Sequence, residues 1–180
     1  MPDQGSSAGL QVSGPQDIGL VYDRFFRRVY NYVRYRVPDQ ATAEDVTAQV
    51  FEKVLDKLGT YKSKAGPFEP WLFAIARNAV HDHYRSLGWR RWLSLDAVLE
   101  RPSQDPTPEE ALAKDEGLAG LTAGLAKLGG REREILGLKF GAGLGNSEIA
   151  SMEGLSESNV GVIVFRGLKK LKGIMKGETA

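Results

Sequence analysis

The chain has 180 residues, and its 24 Lys and Arg side chains against 23 Asp and Glu give a net charge of only +1. It contains no cysteine, which excludes disulfides, thiolate nucleophiles and zinc sites with cysteine ligands. The sequence has neither an apolar run long enough to cross a membrane nor a recognisable secretory leader, so we expect a cytoplasmic protein.

The charges are strongly segregated along the chain. Residues 18–93 hold 13 basic and 8 acidic side chains, whereas residues 94–116 hold 2 basic and 7 acidic. Residues 117–180 are again basic, with 9 basic and 6 acidic side chains. Two basic blocks are therefore joined by an acidic segment.

The acidic segment marks a domain boundary. Three prolines within seven residues prevent a continuous helix there, so we predict a flexible linker at 94–116. The opening residues, 1–17, are rich in Gly, Ser, Gln and Pro and are predicted to be disordered. Two small domains remain, at 18–93 and 117–176, and both are predicted to be all-α.

The first domain begins with two predicted helices. One runs from Leu20 to Arg36 and ends before Pro38, and the other runs from about Thr42 to Leu58. The second helix has an apolar face and an opposite polar face that gathers Asp45, Gln49, Glu52 and Asp56. A solvated surface is the ordinary interpretation of such a face, and a docking surface for a basic partner is the alternative.

A loop at 59–70 and a third helix, Trp71–Arg85, follow. The loop interleaves aromatic and cationic side chains, and the helix aligns Trp71 with Asn78 and Arg85, with Arg77 and His81 beside them. One interpretation is that the rings fill the core while the cations are solvated. The other is a surface for a single nucleic-acid strand, because base stacking on an aromatic ring contributes about 1 to 3 kcal/mol and cations neutralise phosphates.

Residues 146–171 in the second domain predict a helix-turn-helix. Small residues at and before the turn let the two helices approach closely. Ser156 can cap the second helix, and Leu155 can pack on Val160 as a hydrophobic staple. The second helix is therefore expected to begin at about Glu157.

The second helix of this motif is amphipathic. Its predicted inward stripe comprises Val160, Val164, Gly167, Leu168, Leu171 and Met175. Arg166, Lys169 and Lys172 lie on the other side. A helix with this arrangement commonly enters the major groove of DNA, and the alternative is a helical hairpin without a role in DNA binding.

Three segments resemble the extracytoplasmic-function group of the bacterial RNA polymerase sigma factors, in the sigma-70 family. They are AEDVTAQVFEKVLDKL at 43–58, FEPWLFAIARNAVHDHYR at 68–85 and LGGREREILGLKFGAGLGNSEIASMEGLSESNVGVIVFRGLKKLK at 128–172. These segments are similar to regions two and four of the family, in the family's order. The resemblance implies a protein that directs promoter-specific transcription initiation without a cofactor, a metal or catalytic residues.

The resemblance also implies a partner for each surface. The residues that would bind the polymerase beta-prime clamp are Asp45, Gln49, Glu52, Lys53 and Asp56. Those that would open and read the minus-ten element are Tyr61, Lys62, Lys64, Phe68, Trp71, Arg77, Asn78, His81 and Arg85. Region four would rest on the polymerase beta flap and read the minus-thirty-five duplex through Ser156, Ser158, Asn159, Val162, Phe165, Arg166 and Lys169. The acidic linker would thread the core enzyme, and an anti-sigma protein is a further partner that the resemblance suggests.

The chain departs from the family pattern in the recognition helix. Gly161, Val162 and Ile163 stand where the family commonly has Lys, Ser or Thr, and Arg. We therefore expect Val162 and Phe165 to contact thymine methyl groups or to cover a protein partner, while the basic residues position the helix on phosphates.

Two other classes of protein fit the sequence less well. His81 and His83 are two positions apart on a helix and point in nearly opposite directions, so they cannot share a metal ion. No Ser-His-Asp grouping or phosphate-binding glycine motif is present, which argues against an enzyme. A helix-turn-helix regulator that binds duplex operator DNA without the polymerase core is the stronger alternative, but it leaves the polar face of the second helix and the aromatic, basic third helix unexplained.

Overall fold

The computed structural model describes Val12 and residues 14–93 and 120–177, and every regular element in these ranges is helical. The first part contains a 3₁₀ turn at Pro15–Asp17, α1 (Ile18–Arg36), α2 (Gln40–Leu58), a 3₁₀ turn at Ser63–Ala65, and α3 (Phe68–Leu93). The second part contains α4 (120–126), α5 (Gly130–Leu136), a π-helical turn at Gly137–Gly141, α6 (Asn146–Glu153) and α7 (Glu157–Met175). The all-α prediction is confirmed for these residues.

The predicted linker at 94–116 lies outside the described residues, as does most of the predicted tail. Pro15–Asp17, which we assigned to the disordered tail, instead forms an ordered turn that packs against α1 and α2. None of the described helices combines the length and the apolar character that crossing a membrane requires.

Three helix starts lie earlier than predicted, those of α1 at Ile18, α2 at Gln40 and α3 at Phe68, and the last two have a local cause. The α2 helix begins at Gln40 because Asp39 caps it, accepting hydrogen bonds from the Thr42 backbone N–H and hydroxyl, both at 2.8 Å. The α3 helix begins at Phe68 although Pro70 lies in its first turn. The first backbone N–H groups of a helix have no intrahelical acceptor, so proline is tolerated there.

Helices α1, α2 and α3 enclose the core of the first part. Phe25, Val29 and Tyr32 of α1 are at most 1% exposed, and they pack with the apolar faces of the other two helices. The inward face of α3 includes Leu72, Phe73, Ala76, Ala79 and Val80, all of which are fully buried.

The helix-turn-helix is formed by α6 and α7. Gly154 ends α6 with φ +64°, a left-handed conformation that glycine adopts without steric cost. Ser156 caps α7 by accepting a hydrogen bond from the Asn159 backbone N–H at 3.2 Å, so α7 begins at Glu157 as predicted.

The inward stripe of α7 is narrower than the sequence suggested. Val160, Gly167 and Leu171 are buried, but Leu168 and Met175 are 42% and 56% exposed. The α5 helix crosses α7 so closely at Gly167 that an added Cβ there would lie 3.1 Å from Leu136 Cδ1. Leu168 is about 100° further round the helix and therefore points away from α5.

The two parts of the molecule pack against each other and share one hydrophobic cluster. The turn Gly137–Gly141 lies along α1, and a Cβ added at Gly141 would approach Tyr32 Cα to 2.7 Å. Only glycine permits the two backbones to come this close. Charge and helical periodicity did not predict this packing.

Candidate nucleic-acid interfaces

The polar face of α2 is open to solvent. Asp45, Gln49, Glu52 and Asp56 are all exposed. Lys53, which we grouped with them, is half-buried and lies 2.9 Å from Asp82 of α3 in an ion pair. The four exposed side chains form an acidic surface, whereas Lys53 joins α2 to α3.

An aromatic surface adjoins α2, and the sequence analysis missed it. Tyr22 and Phe26 of α1 are 45% and 37% exposed, although the sequence of α1 has the pattern of an ordinary amphipathic helix. The Tyr22 ring lies 4.8 Å from both the Phe26 ring and the Phe51 ring of α2. The only sequence signal was a pair of aromatic residues at i, i+4 beside the buried stripe.

Tyr61 of the loop before α3 forms a cluster of three aromatic rings with Phe68 and Trp71 of α3. The Tyr61 hydroxyl donates to the Gly66 carbonyl at 2.9 Å, and the Tyr61 ring lies 5.2 Å from that of Trp71. Partial burial raises the pKa of Tyr61, so its hydroxyl stays protonated at neutral pH. Lys62 and Lys64 are exposed on the same loop.

The structure places Phe68 in the core, although we expected it to contact DNA. It is 7% exposed, and its ring lies 5.4 Å from that of Phe25. Because its α3 position faces α1, burial of this large apolar ring is favoured over exposure. The Phe68 ring also lies 5.3 Å from the Trp71 ring, so it packs against the half-buried indole.

A polar cleft of about 360 Å³ lies between α2 and α3. Its lining is Lys53, Lys57, Ile75, Asn78, His81, Asp82 and Arg85. The hydrogen bond from Lys53 lowers the pKa of Asp82, as do the nearby charges of Lys53 and Arg85. The cleft therefore brings three of the nucleic-acid residues predicted on α3 together with two lysines of α2, and it suits an anionic ligand.

Arg77 and His81 of α3 face the second part of the molecule. Arg77 Nη1 lies 2.5 Å from Glu153 Oε1 of α6 and 3.3 Å from the Met152 carbonyl oxygen. His81 Nε2 lies 3.8 Å from Glu134 Oε2 of α5. In this packing, Arg77 is held by the helix-turn-helix and is not free to meet a nucleic acid.

Glu134 is the centre of a buried polar network between the two parts. Its carboxylate accepts a hydrogen bond from the Tyr32 hydroxyl at 2.6 Å and pairs with Arg36 at 2.9 Å. Burial, followed by the charge of Glu134, raises the pKa of Tyr32 well above its usual value. Arg28 adds a hydrogen bond from its Nε to the Ala142 carbonyl at 2.7 Å. These contacts hold the two parts in this placement, while Arg36 Nε and Glu134 Oε2 are buried without a hydrogen bond among the described residues.

The outer face of α7 carries all seven residues predicted to contact the minus-thirty-five duplex. Ser156, Ser158, Asn159, Val162, Phe165, Arg166 and Lys169 are all exposed. Phe165, at 69%, is the most exposed of the large hydrophobic residues in the described part of the chain. The structure thus presents one continuous surface that is polar near the helix start, apolar in the middle and basic toward the end.

Two family models match the chain. Sigma-70 region 2 matches residues 21–90, and Sigma-70 region 4 matches residues 124–173. The ECF RNA polymerase sigma factor BldN of Streptomyces coelicolor is 31% identical over 165 residues, covering 92% of this chain and 62% of that protein. The ECF sigma factor ShbA of Streptomyces griseus is 33% identical over 144 residues, covering 77% of this chain and 75% of that protein.

A solved structure has the same fold. It is the sigma factor RpoE of Bartonella quintana in complex with the anti-sigma factor NepR, which aligns with a TM-score of 0.70 and 19% identity over 91% of this chain and 99% of that one. At this identity the likeness extends to the fold alone.

Proposed function

This chain belongs to the extracytoplasmic-function sigma factors of the sigma-70 family, and from that premise we propose that it binds core RNA polymerase and directs transcription initiation at specific promoters. The observation that carries the proposal is the presence of both family regions in order on one chain. In this proposal, 18–93 is region 2, 117–176 is region 4, and 94–116 is the linker that threads the core enzyme.

The polar face of α2 is the proposed docking surface for the beta-prime clamp of the polymerase. Its three exposed carboxylates, Asp45, Glu52 and Asp56, give it negative charge, and complementary charge on a partner accelerates encounter and fixes orientation. The face is uncovered even while the two domains are packed together. Tyr22 and Phe26 lie next to α2 and supply apolar area for the same partner.

The proposed minus-ten surface combines the loop lysines, Trp71 and the α2–α3 cleft. Extracting a base from duplex DNA costs a few kcal/mol, and stacking on an aromatic ring offsets about 1 to 3 kcal/mol of that cost. Lys62, Lys64 and Arg85 are exposed and can neutralise backbone phosphates. The activity is therefore binding coupled to strand separation, with no covalent chemistry by this chain.

Promoter binding requires the two domains to separate. The minus-ten and minus-thirty-five elements are about 25 base pairs apart, which is about 85 Å of duplex at about 3.4 Å per pair. Domains in direct contact cannot reach both elements. The chain between residues 94 and 119 has a contour length of roughly 90 Å, which is sufficient for region 4 to bind upstream while region 2 holds the melted strand.

The remaining partners follow from the same assignment. Region 4 rests on the polymerase beta flap, and the protein acts in the cytoplasm, where promoter DNA and polymerase are found. An anti-sigma protein is a further expected partner, because the exposed Tyr22, Phe26 and Leu55 form apolar surface that such an inhibitor could cover.

Reconstituted transcription tests the proposal. Core polymerase and fragmented genomic DNA are incubated with or without the purified chain, and the RNA start sites are mapped. We expect a set of start sites that appear only with the chain and share two upstream elements. Absence of chain-dependent start sites, together with tight binding to duplex DNA without core, would instead support an ordinary helix-turn-helix regulator.

A further inference from the structure

We propose that α7 reads the C5-methyl groups of thymines in the minus-thirty-five duplex through Val162 and Phe165, in place of hydrogen bonds to base edges. The inference rests on the proposed function of region 4. It assigns sequence selectivity to two exposed apolar side chains. Neither side chain is needed to keep the helix soluble or to pack it against the domain.

Val162 and Phe165 lie in the middle of the outward line of α7. Together with Ser158 and Lys169 they are spaced i, i+4, i+7 and i+11, so all four side chains project within about 60° of one another. The two apolar side chains are 42% and 69% exposed. They are three residues apart, or about 4.5 Å along the helix axis, which is comparable to the spacing of neighbouring base pairs.

The rotation of α7 about its own axis is fixed by the rest of the domain. Val160 is fully buried against the cluster that includes α6, and Gly167 lies against Leu136 of α5. Lys170, at the side of the helix, pairs with Glu132 of α5 at 2.7 Å. Val162 and Phe165 therefore point outward because of the fold and cannot turn into the domain core.

The charges around the two apolar residues favour DNA over an apolar protein as the occupant. Arg166, Lys169 and Lys172 are exposed on the same half of α7, and Glu157 at its start is the only acidic residue of the helix. Exposed cations at the rim of an apolar patch complement phosphates on either side of a groove. A partner protein would need to match both the patch and this positive rim.

Apolar side chains in the major groove discriminate between bases. They cannot replace the hydrogen bonds that base-edge donors and acceptors make with water, so contact with most base edges leaves polar groups unsatisfied. Thymine is the exception, because its C5-methyl group projects into the groove. Val162 and Phe165 thus favour one or two thymines at adjacent positions and disfavour G·C pairs there.

Replacing thymine by deoxyuracil tests the proposal, because it removes the methyl group and changes nothing else on the base edge. Holoenzyme made from core polymerase and the full chain is titrated on a chain-dependent promoter in which each minus-thirty-five thymine is replaced in turn. We expect about fourfold weaker binding at one or two adjacent positions, as loss of one buried methyl group implies. Equal affinity for thymine and deoxyuracil at every position would overturn the proposal.

Two variants test which side chain, Phe165 or Val162, is responsible for the thymine preference at each position. Phe165→Ala should weaken binding to the thymine promoter and abolish the preference over deoxyuracil at one position, and Val162→Ala should do so at the neighbouring position. Lys169→Ala is the matched control, because loss of a phosphate contact weakens both promoters equally and preserves the preference. Persistence of the full thymine preference in both apolar variants would also overturn the proposal.

The outcomes separate this proposal from the function on which it rests. If the holoenzyme starts transcription at chain-dependent sites but does not distinguish thymine from deoxyuracil, methyl readout is wrong and the sigma function stands. A Phe165→Ala chain that keeps its promoter preferences but loses affinity for a protein partner would show that the patch is a protein interface. Circular dichroism checks folding, which we expect to be unchanged because Phe165 is 69% exposed.

Discussion

Arg77 of region 2 and Glu153 of region 4 form an ion pair, with Nη1 and Oε1 2.5 Å apart. The residue expected to meet the minus-ten strand is therefore bound to the first helix of the helix-turn-helix. Since these two side chains lie on opposite sides of the domain contact, the ion pair is made only while the domains are packed together.

Glu153→Gln should shift the free protein toward separated domains. Loss of this partly buried ion pair weakens the packing by about 1 kcal/mol, which corresponds to about a fivefold increase in the separated population. Fluorescence transfer between one dye on α2 and another on α7 measures the change. Glu157→Gln removes the same charge from the exposed start of α7 and should leave the signal unaltered; equal shifts in both variants would contradict the assignment.

Gly141→Ala should disrupt the packing more strongly. The added Cβ would lie 2.7 Å from Tyr32 Cα and 2.9 Å from its backbone nitrogen, and neither helix backbone can yield cheaply. We expect a loss of about 1 to 3 kcal/mol from the domain contact, measured by small-angle scattering as an increased radius of gyration. Gly130→Ala, where an added Cβ has no atom within 4 Å, is the control. An unchanged radius in Gly141→Ala would refute the packing described above.

Asp45→Arg should weaken holoenzyme assembly. It places a positive charge on the acidic face of α2, where a like charge on the clamp would repel it, so we expect the affinity for core polymerase to fall at least tenfold. Glu44→Arg makes the same change about 100° round the helix and should have a much smaller effect. If Asp45→Arg and the unmodified chain bound core polymerase with comparable affinity, the docking surface would not lie on α2.

Trp71→Ala should impair promoter opening more than core binding. Removing a ring that stacks on an extracted base costs about 1 to 3 kcal/mol, so the fraction of open promoter should fall about tenfold or more at limiting holoenzyme. Permanganate reactivity of minus-ten thymines reports the opening. Trp71→Phe keeps an aromatic face and should restore much of the reactivity. Full reactivity in the alanine variant would contradict the proposed minus-ten surface.

Asp39→Ala should destabilise the fold in a manner that depends on pH. Burial opposes ionisation of this carboxyl, but the hydrogen bonds from Thr42 outweigh it and lower its pKa below the usual 3.8. A lowered pKa in the folded state means that the stabilisation is present above pH 3.8 and is lost as pH falls through the folded value. Urea unfolding should show a loss of about 1 kcal/mol at pH 7 that shrinks below this range. Asp39→Asn can still accept the hydrogen bond and should show a smaller loss at pH 7; an equal loss at all pH values would argue against the cap.

Local features of this fold could be predicted from the sequence because their causes are local. Ser156 and the helix it caps are adjacent in the chain, and the inward face of α3 follows from the spacing of its apolar residues. The burial of Phe68, in contrast, could not be predicted from the local sequence. An aromatic residue at the start of a helix is equally compatible with core and surface, and only the position of Phe25 on α1 decides between them.

The placement of the two domains depends on long-range shape complementarity that no sequence period encodes. The buried Glu134 network joins residues that are far apart in the chain, since Tyr32 and Glu134 are separated by 102 positions. Gly141 had no helical or turn pattern that marked it as a contact point. The exposure of Leu168 is also a consequence of long-range packing, because it depends on where α5 crosses α7.

In the proposed function, the open polar face of α2 sets the order of events during assembly. A polymerase can capture the closed chain through this face while Arg77 is still engaged by Glu153. In this proposal, Arg77 joins the otherwise open strand-binding surface only after the sigma factor is mounted on the enzyme. We therefore expect the free chain to hold stray single strands in the nucleoid more weakly than the holoenzyme does, which would favour melting of DNA that the transcription machinery already holds.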